Sequence, residues 1–168
     1  MLALSLILAG ILMRFAPHAP NFTPVAAIAL FSGARLNKKY AFLVPLALMI
    51  ASDLVIGLHE VVLFTWGGFI LVTLLGRVMQ QKVSTARVIS FSLISSLLFY
   101  LVSNFGVWFM GWYSRDLKGL VDCYIMGLPF LRNFTIATLS YAAILFGIYQ
   151  IIAHYVKDTE LAKVLLTK

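Results

Sequence analysis

The chain has 168 residues, of which 62% are hydrophobic and 11% are charged, and its mean hydropathy is +0.98. A water-soluble domain of this size needs more charged surface than 13 Lys and Arg and 6 Asp and Glu provide. The composition therefore predicts an integral membrane protein. It excludes a soluble enzyme, a nucleic-acid-binding module and a secreted disulfide scaffold. The net charge of +7 matters here through which loops hold the basic residues.

Apolar runs separated by proline, glycine and charged turns predict six transmembrane helices of about 20 residues each. In chain order, the predicted spans are residues 2–16, 24–35, 40–58, 61–79, 87–112 and 133–155. The second is short, and the third contains an acid, Asp53. We therefore predict an all-α polytopic membrane bundle that forms a single integral membrane domain over residues 1–168.

Residues 116–130 form neither a full span nor an ordinary loop. Apolar residues recur there at intervals of three and four, namely Leu117, Leu120, Val121, Tyr124, Ile125 and Leu128. This spacing predicts a short amphipathic helix at the membrane interface, before the last span. Gly127 and Pro129 are expected to end it.

The basic residues are distributed unevenly between the two sides of the predicted bundle. One side holds both termini and nine basic residues: Arg35, Lys38, Lys39, Arg77, Lys82, Arg87, Lys157, Lys163 and Lys168. The other side holds only Arg14, Arg115, Lys118 and Arg132. The positive-inside rule therefore predicts that both termini lie in the cytoplasm.

The loops predicted to lie outside hold an unusual set of histidine, acidic, aromatic and other polar residues. They include Pro17, His18, Asn21, His59, Glu60, Trp112, Tyr113, Arg115, Asp116, Asp122, Cys123 and Tyr124. An outward-facing ligand site is one interpretation of this set. The other is that short loops must be polar and that Trp and Tyr form an interfacial belt.

Asp53 is the residue of the spans that most clearly indicates a functional or structural role, because an ionisable side chain within a span usually faces a polar cavity or a partner. It lies near the outer end of the third helix. One interpretation is that its carboxylate holds a neighbouring loop, such as residues 14–23, by accepting backbone N–H groups. The alternative is direct contact with a ligand.

Helix five carries Asn104, Trp108 and Trp112 at intervals of four, which places them on one helical face. Such a stripe suits a pocket with one amide and two flat rings, although the same spacing is also typical of core or belt residues. The serines of this helix, Ser92, Ser95, Ser96 and Ser103, are interpreted as small residues that allow close helix packing.

A metal or cobalt site is a further alternative if His18, His59 and Cys123 converge from their three loops. Their spacing matches no ligand motif, so we predict no metal and no resident cofactor. His18 is more simply a loop residue and Cys123 a small packing residue. The sequence contains no nucleophile motif and no phosphate-binding loop, so we predict that the protein is not an enzyme.

Four motifs carry a resemblance over nearly the whole chain. They are PHAPNFTP at 17–24, PLALMIASDLVIG at 45–57, SNFGVW at 103–108 and GLVDCYIMGLPFLRN at 119–133. They resemble the motifs of a small bacterial membrane-protein family of unassigned function. That family is similar in layout to the S components of energy-coupling-factor (ECF) vitamin transporters.

The resemblance implies a bacterial inner-membrane protein that binds a vitamin-like nutrient, corrinoids among the candidates, and uses a separate ATP-driven module. S components dock on that module through Ala-x-x-x-Ala on the first helix, and Ser5 and Ala9 match this only approximately. Some cobalamin-binding members place a cysteine on cobalt, a role that the resemblance would give to Cys123.

We therefore predict a membrane component that binds a small heterocyclic nutrient near its outer face. The predicted ligand-binding residues are Asn104, Trp108, Trp112, Tyr113, Asp53, His18, Asn21 and Tyr124. Its expected partners are the lipid bilayer, the small-molecule ligand and an energising module, with no nucleic acid. The alternative function is a structural or assembly subunit of a larger membrane complex.

Overall fold

The computed structural model describes residues 2–156. Over this range the regular secondary structure consists of six α-helices, which confirms the all-α prediction. The helices are α1 Leu2–Phe15, α2 Val25–Arg35, α3 Lys38–Ile56, α4 Val62–Met79, α5 Thr85–Phe109 and α6 Leu117–Val156. The predicted inner-side residues Lys157, Lys163 and Lys168 lie outside the described residues.

Four of these helices, α3 to α6, are long and apolar enough to cross a membrane. The other two are apolar but shorter, with 14 residues in α1 and 11 in α2. At 1.5 Å per residue they extend about 21 and 16 Å, which is less than the roughly 30 Å of a hydrocarbon core. The short second run predicted from the sequence is thus a short helix.

Helix α2 is the centre of the bundle, because every residue from Val25 to Ala34 is buried. Its closest neighbour is α4, and the two helices cross at Gly33 and Gly76. A Cβ atom on Gly33 would lie 2.2 Å from the Thr73 carbonyl oxygen, and one on Gly76 would lie 2.3 Å from that of Leu30. Only glycine allows the two backbones to approach so closely.

Polar caps and glycines set several helix ends. Asn37, Ser84 and Asp116 each accept the backbone N–H of the residue three positions further on, at 3.1, 3.4 and 2.6 Å. These bonds start α3, α5 and α6 by satisfying an otherwise unpaired donor. Gly57 (φ 113°) follows the end of α3, and Gly111 (φ 88°) lies just beyond α5, both in conformations that favour glycine.

The prediction of a separate interfacial helix before the last span is wrong. Residues 117–156 form one helix of 40 residues that continues through Gly127 and Pro129. The first part of α6 is held along α5 by side chains that bond across the two helices, as described below. Pro129 lacks an N–H donor for the helical ladder and its ring crowds the carbonyl four residues back, yet α6 continues through it. Gly127 fits against Asn104 instead of ending the helix.

Helix α5 also ends earlier than predicted, at Phe109 rather than at Trp112. The N–H groups of Met110 and Gly111 bond back to Gly106 and Trp108, and the positive φ of Gly111 then turns the chain away. Trp112 therefore lies in the following connection. The predicted helical stripe of Asn104, Trp108 and Trp112 does not form.

Candidate ligand-binding site

A buried ion pair lies at one end of the bundle. Arg14, in the last turn of α1, donates from Nη2 to Asp53 Oδ1 on α3 at 2.7 Å. The indole Nε1 of Trp66 on α4 donates to the other carboxylate oxygen of Asp53 at 2.8 Å. Arg14 Nη1 also contacts the sulfur of Met49. One carboxylate thus joins three helices.

The partners of Asp53 differ from the predicted ones. The sequence suggested backbone N–H groups of the loop at 14–23, whereas the carboxylate is bonded by the side chains of Arg14 and Trp66. Asp53 is 1% exposed, so its charge needs these partners to remain stable in the core. Arg14 is 16% exposed and reaches the surface of an adjoining cleft.

This cleft, here called the Arg14 cleft, has a volume of about 350 Å³. It lies among the ends of α1, α3 and α4, the loop at 16–24, and the facing parts of α5 and α6. Its polar lining residues are Arg14, His18, Asn21, Thr23, His59 and Thr65. Its apolar lining includes Met49, Phe69, Phe99 and Phe134.

A second cleft, the Asn104 cleft, has a volume of about 460 Å³ and lies on the side of α5 and α6. Its polar lining includes Ser103, Asn104 and Tyr113, with Trp112, Cys123 and Phe130 beside them. Asn21, His59, Thr65 and Phe99 line both clefts. The two clefts therefore adjoin and together are in the size range of small-molecule sites.

Three phenylalanine rings form a stack beside the clefts. Phe99 on α5 lies between Phe69 on α4 and Phe134 on α6, with ring centroids 4.6 and 4.5 Å apart and interplanar angles of 29° and 17°. Gly68 leaves room for the middle ring, since a Cβ there would lie 2.9 Å from Phe99. Both faces of Phe99 are covered, so it can present only its edge to the clefts.

The loop at 16–24 separates the end of α1 from α2 and contributes to both clefts. Asn21 adopts a positive φ of 59°, which asparagine tolerates better than most residues. Asn133 on α6 donates to the Pro20 carbonyl at 3.2 Å, and the Phe22 ring meets Tyr141 edge to face at 5.9 Å. His18 bonds the Ala19 carbonyl through Nδ1 at 2.9 Å. The loop is thus tied to α6.

The seam between α5 and α6 carries side chains that bond to the opposite backbone. Cys123 Sγ donates to the Asn104 carbonyl at 3.3 Å, and the Tyr124 hydroxyl donates to the Leu101 carbonyl at 2.8 Å. Tyr100 donates its hydroxyl to the Tyr124 carbonyl. Asn104 itself packs against Gly127, where a Cβ would lie 2.4 Å from Asn104 Oδ1. These contacts position Asn104 at the cleft surface.

Two tryptophans hold the connections at the rim. Trp112 donates its indole N–H to Glu60 Oε2 at 2.7 Å, which joins the loop at 110–116 to the loop at 57–61. Trp108 donates to the Ser114 carbonyl at 3.0 Å. Asp116 accepts from the Gly119 backbone N–H and the Ser114 hydroxyl, and these bonds lower the pKa of Asp116 below its ordinary value.

The structure brings most of the predicted ligand-binding residues to the clefts. His18 and Asn21 line the Arg14 cleft, and Asn21, Asn104, Trp112 and Tyr113 line the Asn104 cleft. The remaining three, Asp53, Trp108 and Tyr124, are not lining residues: their side chains bond Arg14, the Ser114 carbonyl and the Leu101 carbonyl, respectively.

The alternative metal set does not assemble among residues 2–156, where no three His, Cys, Asp or Glu side chains lie close enough to hold a metal ion. His59 lines both clefts, but His18 lines only the Arg14 cleft and Cys123 only the Asn104 cleft. Cys123 is buried, as predicted for a small packing residue. Of the serines interpreted as packing residues, Ser92, Ser95 and Ser96 are fully buried, whereas Ser103 lines the Asn104 cleft.

Sequence reasoning missed several residues of this region. It counted Arg14 only as a loop charge and did not consider Trp66, Phe69, Phe99 or Phe134. A signal for Arg14 was available, because one Arg and one Asp near the same end of two apolar helices predict an ion pair. The phenylalanine stack has no such signal, since phenylalanine is common in every span.

The fold and the clefts define the class: an all-α protein with four helices that could span a membrane and a polar, aromatic cleft region at one end of its bundle. Residues 1–161 match the family of unknown function DUF6580, and the chain belongs to that family. No curated protein and no solved structure matches the chain.

Proposed function

We propose that this protein is a substrate-binding membrane component for the uptake of a small vitamin-like or heterocyclic nutrient. The observation that carries the proposal is the pair of adjoining clefts, with volumes of about 350 and 460 Å³. Their lining combines amide, hydroxyl and imidazole groups with aromatic rings. This mixture suits a flat ligand, which rings contact by stacking or edge-to-face packing while a few polar groups orient it.

The proposal includes an orientation in the membrane. We place the protein in the bacterial inner membrane with six passes, both termini in the cytoplasm and the clefts facing outward. Helix α2 is too short to cross alone, but it is enclosed by the other helices. Irregular backbone at membrane depth is tolerated where protein or a cavity surrounds it, so α2 and the loop at 16–24 can complete one pass.

Energy for uptake is proposed to come from a separate ATP-driven module, as in the ECF transporters, whose S components the sequence resembles in its motifs and predicted layout. The chain has no phosphate-binding loop of its own. Ser5 and Ala9 lie exposed on α1, at the edge of the bundle. Their exposure supports docking of such a module against α1, because small residues permit close helix contact.

The test is native mass spectrometry of the protein purified from its own membranes, combined with uptake measurements in a deletion strain. We expect a bound small molecule whose uptake falls on deletion. Asn104→Ala should reduce the bound fraction, whereas Ser90→Ala, on an exposed position of the same helix, should not. No bound molecule together with unchanged uptake contradicts the proposal.

Two further outcomes would contradict parts of the proposed function. Stoichiometric co-purification with an unrelated membrane complex would favour the alternative role as an assembly subunit. A reporter fused to the C-terminus that is active only outside the cytoplasm would overturn the proposed orientation.

A further inference from the structure

The charges around the clefts select for one kind of ligand. Among the described residues, no Asp or Glu lines either cleft, whereas the Arg14 guanidinium lines one of them, beside the imidazole rings of His18 and His59. Asp53 is 1% exposed and both of its oxygens are bonded, to Arg14 and to Trp66. Glu60, at the rim, accepts from Trp112 and is not a lining residue. A cationic ligand would therefore find no carboxylate partner there.

Arg14 retains donors for an acid. A guanidinium group has five N–H groups, and within residues 2–156 Arg14 uses one to bond Asp53 and one to contact Met49. The carboxylate of Asp53 holds the guanidinium in place from one side while Arg14 lines the cleft. A fixed guanidinium with unused donors is suited to bind a carboxylate.

The Phe99 ring, in the middle of the phenylalanine stack, has the same preference for an acid. The faces of an aromatic ring are electron-rich and its edge is electron-poor. Recognition of a cation requires an open ring face, but both faces of Phe99 are covered by Phe69 and Phe134. The accessible edge of Phe99 favours the π-face of a ligand ring or a negatively charged oxygen.

We propose that the ligand is a flat aromatic acid, whose carboxylate binds Arg14 with His59 and His18 nearby and whose ring packs at the edge of Phe99. This inference rests on the proposed function, since it names the chemical class of the molecule bound in the same clefts. It predicts weaker binding of quaternary ammonium and other cationic nutrients.

The experiment uses one ring in three charge forms: quinoline-3-carboxylate, quinoline-3-carboxamide and quinolin-3-ylmethylammonium. Binding is measured by calorimetry on the full chain in nanodiscs of phosphatidylcholine, which adds no net lipid charge. We expect the carboxylate to bind about tenfold more tightly than the other two forms, as a charge-assisted hydrogen bond predicts.

Two variants test whether Arg14 is the group that gives the preference for the carboxylate. The double variant Arg14→Met with Asp53→Asn removes the ion pair as a unit and should abolish the preference for the carboxylate. Arg132→Gln removes one charge from an exposed position on α6 that lines neither cleft, and should preserve it. The comparison of the three probes on the unaltered protein stands even if the double variant does not fold.

The outcomes separate the two proposals. Equal or tighter binding of the amide or the ammonium form overturns the acid preference but leaves the proposed function standing. A carboxylate preference that persists in the double variant overturns the role of Arg14. Failure of all three probes to bind, with no co-purifying molecule, contradicts both proposals.

Discussion

Arg14 on α1 and Asp53 on α3 form an ion pair of 2.7 Å between residues that are 39 positions apart in the chain. Helix α1 packs mainly against α3 and touches α2 less extensively. The pair therefore fastens the outermost helix to the bundle at the end where the clefts lie. Trp66 extends the same connection to α4.

Removal of one member of this pair should destabilise the protein strongly. Asp53→Ala leaves a guanidinium and an indole N–H without their acceptor, and Arg14→Ala leaves a buried carboxylate, at an expected cost of about 3–5 kcal/mol each. The double variant Arg14→Ala with Asp53→Ala should cost much less than the two single losses combined. Unfolding in mixed detergent micelles, followed by circular dichroism, measures this. Additive single and double effects would show that the two residues are not coupled.

Because α2 and α4 cross closely at two glycines, we expect the stability of the protein to fall when a single methyl group is added at either glycine. Gly33→Ala and Gly76→Ala place a Cβ within 2.2 and 2.3 Å of a backbone oxygen, which cannot move without separating the helices. We expect each to cost about 1–3 kcal/mol. Gly67→Ala and Gly147→Ala are the controls, because nothing lies within 4 Å of their added Cβ.

At the two control positions alanine should be neutral or stabilising, by up to about 1 kcal/mol, since alanine favours a helix more than glycine does. The same unfolding experiment compares all four variants. Equal effects at the four glycines would contradict the close crossing.

Gly127 offers a test of the binding surface rather than of stability. An added Cβ would lie 2.4 Å from Asn104 Oδ1, so the amide would have to move and its bond from Nδ2 to the Tyr100 carbonyl, now 2.9 Å, would be strained. Gly127→Ala should therefore displace the Asn104 amide and reduce occupancy by the co-purified molecule several-fold, with a smaller loss of stability than Gly33→Ala. Gly147→Ala, on the same helix, should retain full occupancy. Unchanged occupancy in Gly127→Ala would argue against a role for Asn104 in binding.

Asp116 predicts an acid-dependent change at the start of α6. Its pKa is lowered from the ordinary value of 3.8 because the charged form accepts two hydrogen bonds, first from Gly119 N–H and then from the Ser114 hydroxyl. A lowered folded-state pKa stabilises the cap above pH 3.8, and this contribution is lost as the pH falls through the lowered value.

Hydrogen exchange of the Gly119 amide as a function of pH measures this loss, after correction for the intrinsic pH dependence of exchange. We expect protection to begin to fall as the pH approaches 3.8 and to be lost as the pH falls through the lowered pKa of Asp116. Asp116→Asn keeps a capping oxygen without a titrating group, so its protection should not change in this range. A decline whose midpoint lies above pH 3.8 would be inconsistent with the bonded carboxylate.

The agreement between sequence and structure is closest where local signals act. Apolar runs predict where α1 to α5 lie because burial of the backbone in an apolar environment requires helical hydrogen bonds. Proline, glycine and charged residues mark most of the connections, as Gly57 does at the end of α3. The stripe ending at Trp112 fails because periodicity alone does not show that Gly111 turns the chain.

The clefts could be predicted in part. Loop residues such as His18, Asn21 and Tyr113 reach them because the connections at 16–24, 57–61 and 110–116 meet at the same end of the bundle. Tyr124 and Asp53 are polar residues of the same region, but their hydrogen bonds are satisfied within the protein. Composition does not distinguish a polar group that faces a cavity from one that holds two helices together.

The sequence by itself determined that this is an all-α chain with membrane-spanning character, since hydropathy and helix-breaking residues act over a few neighbouring positions. Only the tertiary structure decided that Arg14 meets Asp53, that Phe99 lies between Phe69 and Phe134, and that α6 continues through Pro129. Each of these depends on how distant helices are placed against one another. That placement is set by side chains that meet across helices, and such contacts between distant residues cannot be read from neighbouring positions in the sequence.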